Sequence, residues 1–116
     1  MKSALIIVAS ILALAVLASA GGKLRKVPRV VESMTHVGVG EHQMVLLAVL
    51  EVAGGAGLLV GFAVTLLGRL ASAGLVLYFL GAVSAHVRVR DEAKALAPAA
   101  TLLTLAVATL VLEVLR

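Results

Sequence analysis

Four long apolar runs fill most of this chain, at residues 4–20, 44–67, 70–85 and 98–115. Each approaches the roughly 20 residues that a helix needs to cross the hydrocarbon of a bilayer. A water-soluble chain of 116 residues has too little interior to hide a composition that is 62% hydrophobic, so lipid must be the solvent for much of its surface. In lipid, backbone N–H and C=O groups find partners only within the structure itself. Helix is therefore the economical form for each run, and an open sheet is excluded. The expected fold class is all-α: an integral-membrane four-helix bundle, left-handed and up-and-down, forming one transmembrane domain over residues 1–116.

Between the runs the punctuation is sparse. Gly68-Arg69 is a short break that predicts a tight antiparallel hairpin between the second and third spans. Pro98 suits the first turn of the fourth, where its missing N–H matters least. The first run, with Lys2 before it and Ala18-Ser19-Ala20 after it, mimics a secretory signal. The basic "GGKLRKVP" that follows is a poor start for a translocated chain, so the segment is expected to remain as the first span. In the first connection, residues 21–43, Val30, Val31, Met34 and Val37 fall at helical spacing before Gly38. They predict a short interfacial helix between spans one and two, ended by Gly38 and Gly40.

The net charge of +4 does not point to nucleic acid, because the cations lie in short runs between apolar segments. They read as topology signals. Lys23, Arg25, Lys26, Arg29, Arg88, Arg90 and Lys94 fall on one side and Lys2, Arg69 and Arg116 on the other. The first group is assigned to the cytoplasm, with both termini outside. The chain has no cysteine, which excludes disulfides, thiol chemistry and cysteine-held iron–sulfur or haem groups. No Ser-His-Asp order, paired-carboxylate motif or HxxxH metal pair is present, so no catalytic or metal residue is assigned.

The sequence feature richest in chemistry is "LLAVLEVAGGAGLLVGF", residues 46–62. Glu51 lies inside the second span, where an ionisable group costs about 2–3 kcal/mol or more unless paired, protonated or wetted. Gly54 and Gly55 follow it on the same helix face, and Gly57 and Gly61 form a GxxxG pair beside them. Small residues let a second backbone approach closely. Gly74, Gly81 and Ala85 supply a matching strip on the third span, with Tyr78 on it. The expectation is that spans two and three make the closest contact around these glycines. Antiparallel geometry brings Lys23, His86 and Arg88 to one mouth about two turns above Glu51. Glu51 is expected to pair with Lys23 or protonated His86 and to floor a small polar pocket open to the cytoplasm. The glycines beside it leave room for a headgroup such as a quinone carbonyl or a lipid. His36 and His42 read as solvated loop residues, and Glu113 as an interfacial group near the C-terminus.

"GGKLRKVP", "LLAVLEVAGGAGLLVGF" and "LASAGLVLYFLGAVSAHVRVRD" together resemble the DoxX-like family of small bacterial membrane proteins. The shared features are a lysine after helix one, an E-x-x-G-x-x-G-L-L run in helix two, and a G-A-x-x-x-H-x-R end to helix three. Carried over residue by residue, the resemblance points to Lys23, Glu51, Gly54, Gly57, His86 and Arg88. It implies a four-helix membrane bundle and association with membrane oxidoreductase or oxidative-stress complexes. With no redox centre of its own, the chain would serve such a complex as a partner or a quinone- or lipid-contacting subunit, not as an enzyme by itself. Membrane-protein partners or a homo-oligomer fit that role. The alternative is a small proton-coupled transporter of hydrophobic or cationic compounds using Glu51. Small multidrug transporters share the silhouette, but they carry their glutamate in helix one and have an aromatic cage that this chain lacks.

Overall fold

The computed structural model describes residues 2–116. Five helices follow one another: α1 (Lys2–Leu24), α2 (Pro28–His36), α3 (Glu41–Val60), α4 (Thr65–Arg88) and α5 (Ala93–Leu115). All except α2 are long and apolar enough to cross a membrane. At 1.5 Å per residue they run about 30–36 Å, enough for a hydrocarbon core of about 30 Å.

The four long helices bury themselves through a shared spacing. On α3 the buried residues are Met44, Ala48, Glu51, Gly55 and Leu58, and on α1 they include Leu5, Ala9, Leu12, Val16, Ala20 and Lys23. Steps of four and three residues keep each set on one inward face, the spacing that bundle packing uses. Successive helices run antiparallel. α1 packs on α3 and α5, and α4 packs on α3 and α5, which closes a ring of four. The core centres on Leu12, Val16, Leu58, Leu75, Phe79 and Ala106. The outer faces carry Leu14, Leu66, Leu77 and Val114, each more than 60% exposed. Water would not tolerate so continuous an apolar surface; a bilayer requires it.

Three helix ends on one side of the bundle share a design. After α1, α2 and α4 the chain turns through left-handed backbone at Lys26 (φ 53°), Gly38 (φ 84°) and Arg90 (φ 53°). In each case the next amide bonds five residues back: Val27 to Gly22, Val39 to Met34, and Asp91 to His86. These are Schellman caps, which satisfy the last carbonyls of a helix. α2 lies on this same side as the expected interfacial helix, with no residue fully buried.

Several expectations need correction. The turn between the second and third spans is at residues 61–64, and Gly68 and Arg69 lie within α4. Arg69 tolerates that place because its Nε reaches the carbonyl of Glu113 at 3.1 Å. Pro98 falls inside α5, which starts five residues earlier. The most extensive helix pairs are α4–α5 and α1–α3, with α3–α4 smaller. Gly74 and Gly81 do not pack at all: a Cβ at either would meet nothing within 4 Å. The buried stripe of α4 runs instead through Gly68, Ser72, Leu75, Phe79 and His86. Against it stand Gly54, facing Leu75, Gly57, facing Ala71, and Gly61, facing Gly68. Gly55 looks the other way, onto Leu17 and Ala13 of α1.

Candidate functional site: a sealed ion pair in the bundle

A helical side chain leans toward the N-terminus of its own helix. α1 and α3 run in opposite directions, so Lys23 at the end of α1 leans down into the bundle and Glu51 of α3 leans up toward it. Their meeting is an ion pair, Lys23 Nζ to Glu51 Oε1 at 2.7 Å. Lys23 Nζ also donates to Ser19 Oγ, one turn earlier on α1, at 2.8 Å. The carboxylate is 0% exposed and the lysine side chain 8%. Tyr78 of α4, half-buried, stands near the carboxylate. Oε2 of Glu51 has no hydrogen-bond partner. Two charges in such a place hold each other: removing either leaves the other stranded in a dry medium.

The pocket expected here is therefore closed. Glu51 is fully buried, with the Lys23 ammonium against its carboxylate. His86 and Arg88 are also elsewhere. Arg88 is exposed at the end of α4. His86 is buried and its Nδ1 lies 2.6 Å from Oδ2 of Asp91, the residue that follows the α4 cap. Oδ1 of the same aspartate lies 3.4 Å from Nε2 of His36, on α2. Asp91 thus links α4 to α2. The hydrogen bond from His86 holds its carboxyl below the usual carboxylate range, against an opposing desolvation, and the charge of His36 adds to the effect. A cavity of about 590 Å³ lies beside it, lined by Arg29, Ser33, His36 and Arg90 with Glu32 and Glu92. His36 is a helix residue, not a loop residue, and His42 lies exposed in the first turn of α3.

Sequence reasoning missed Asp91, Ser19 and the surroundings of Glu113. Ser19 had a signal, its four-residue spacing to Lys23. Glu113 does not reach the interface. It is 0% exposed and packs its carboxylate onto Gly68, where any Cβ would lie within 3 Å of it. Neither of its oxygens accepts a hydrogen bond, and Arg116 Nε stands 3.4 Å away. Arg116 spends Nη2 on the carbonyl of Gly61 at 2.6 Å and on Thr65 Oγ1 at 2.9 Å. Among the described residues no group of three or more His, Asp or Glu side chains is placed to hold a metal ion.

Neither a curated protein nor a solved structure shows significant similarity to the chain. A family model does match, over residues 7–109, and this span takes in Lys23, Glu51, the α3 glycines and His86. Four membrane-length helices and a match over most of its length place this multi-pass membrane protein in the DoxX-like family.

Proposed function

We propose that the chain is a non-catalytic subunit of a larger membrane assembly, of the oxidoreductase-associated or oxidative-stress kind that the family resemblance implies. It meets its partner, and lipid or quinone, through its outer faces. The observation that carries this reading is the sealing of Glu51. The strongest chemical group in the sequence is tied to Lys23 and shut off from solvent, so it holds helices together instead of awaiting a ligand. The outer face of α4 adds support. Gly74 and Gly81 are exposed with open space around them, flanked by Leu77. Glycines on a lipid-facing surface are where a neighbouring membrane helix approaches closely.

The bacterial inner membrane is the proposed location, with α2 in the cytoplasm and both termini outside. Lys23 drops out of the charge count now that it is buried. Arg25, Lys26, Arg29, Arg88, Arg90 and Lys94 still outnumber Lys2, Arg69 and Arg116. The test is mass spectrometry of the gently solubilised protein, covering chains, lipids and quinones, with a photo-crosslinker at Leu77. The expected result is a second membrane protein crosslinked at that face. A protein that purifies alone and drives pH-dependent flux in liposomes would replace this reading with the transporter alternative. Crosslinking only to copies of itself would reduce the assembly to a homo-oligomer.

A further inference from the structure

At the end opposite α2, a cavity of about 670 Å³ opens between the start of α1, the α3–α4 turn and the end of α5. Its polar lining is Lys2, Thr65 and Arg116, with no acid among the lining residues. Its apolar lining includes Ile6, Phe62 and Leu115, all exposed on the lipid-facing surface. Arg116 is fixed there by its bonds to Gly61 and Thr65, which leave Nη1 uncommitted by either. Lys2 is exposed at the rim. Thr65 is the first residue of α4, whose N-cap, Val64, offers no side-chain bond. The uncapped amides and positive end of that helix add to the two cations. Glu113 is not among the lining residues; it packs against Gly68 with Arg116 Nε 3.4 Å from its Oε2, which leaves Lys2 as the cation without an acid beside it in the cavity. The cavity at the other end differs: Glu32, Asp91 and Glu92 offset its two arginines.

We propose that this cavity binds the phosphate of an anionic phospholipid, with Lys2, Arg116 and Thr65 on the headgroup and the acyl chain along Ile6 and Phe62. The mixed lining decides for a lipid over a free anion. A soluble phosphate gains nothing from three exposed apolar side chains that continue into the lipid-facing surface, whereas a lipid covers them. The site lies at the level of a headgroup, at the helix ends, and is independent of the partner reading and of the Glu51 pair.

The experiment uses the full chain in phosphatidylcholine nanodiscs containing phosphatidylglycerol, with native mass spectrometry to count the lipids retained on release. Phosphatidylglycerol is expected to be retained in preference to phosphatidylcholine. Lys2→Gln is expected to lower that preference about fivefold, the value of one near-surface cation. Lys2→Arg keeps it, and Lys94→Gln at the opposite end leaves it unchanged. Lys2 is exposed, so an unaltered melting curve for Lys2→Gln separates loss of the site from loss of the fold. Equal retention of the two lipids in the parent protein would overturn the proposal. So would an equal loss in Lys94→Gln, which marks general surface attraction, or displacement of the lipid by inorganic phosphate, which marks a free-anion site.

Discussion

Replacing Gly61 by alanine adds one methyl group at the tightest point between α3 and α4. That Cβ would lie 2.4 Å from the Cα of Gly68 and 2.7 Å from its N. Carbon atoms rest at about 3.5–4.0 Å, so the two helices must part by more than about 1 Å. Both neighbouring atoms are backbone, and no side chain can swing aside to make room. Overpacking of this kind costs about 3 kcal/mol, the upper end of its usual range. The backbone at Gly61 is ordinary right-handed helix, φ −61° and ψ −19°, so alanine itself is unstrained there. Its better helix propensity returns up to about 1 kcal/mol and leaves a net loss of about 2 kcal/mol. Gly74→Ala meets nothing within 4 Å and is expected to be neutral or to gain up to about 1 kcal/mol. The pair is compared by unfolding the purified protein in mixed micelles, following helix content by circular dichroism. Stabilities within about 0.5 kcal/mol of each other, less than a typical point-mutant effect, would refute the argument. A larger loss at Gly74 would move the helix contact to the strip that contains Gly81.

Three further outcomes test other parts of the structure. Lys23→Met strands the Glu51 carboxylate and is expected to destabilise the fold by about 3–5 kcal/mol, whereas combining it with Glu51→Leu recovers most of the loss in a double-mutant cycle. Asp91 has a depressed pKa in the fold, so its contribution is present above the ordinary value of 3.8 and fades as pH falls through that value and below. Parent and Asp91→Asn unfolding curves should therefore differ at neutral pH and converge in acid; a constant difference would show that the carboxylate's charge is irrelevant. For topology, cysteines at Arg29 and Lys94 should be protected from an impermeant thiol reagent in intact cells and one at Ala63 should label, with the reverse pattern inverting the orientation.

The inward stripe of α3 was readable because one charged residue fixes its direction. Once Glu51 must be buried, Ala48, Gly55 and Leu58 follow at three- and four-residue steps. The same logic fails on α4, which offers small residues on two faces. Ala71 faces Gly57 of α3 and Gly68 opens toward Glu113 of α5, whereas Gly74 and Gly81 meet nothing, and nothing in the sequence of α4 distinguishes the faces. Only the partner helix does. The turn at 61–64 is hidden for a related reason. Gly-Phe-Ala-Val is as apolar as the helices it joins, while Arg69 advertises a break that its long side chain makes unnecessary. Lys23 illustrates the opposite error. Gly21-Gly22 looks like a helix end, yet α1 continues through both to Leu24, which carries Lys23 into the core stripe. Glu113 misleads because closeness to a chain end suggests exposure. Its burial depends on Gly68 leaving a space that no local pattern announces.

The extensive contacts of α1 with α3 and of α4 with α5 divide the molecule into two hairpin-like halves joined by four residues. This division has a temporal meaning. A ribosome releases α1 and α3 first, and the Lys23–Glu51 pair can close as soon as both have entered the bilayer. At the far end the second half reaches back, where Arg116 donates to the carbonyl of Gly61 in the joining turn at 2.6 Å. The bundle is thus tied at one end by a charge pair within its first half and at the other by Arg116 reaching back across the turn between the halves.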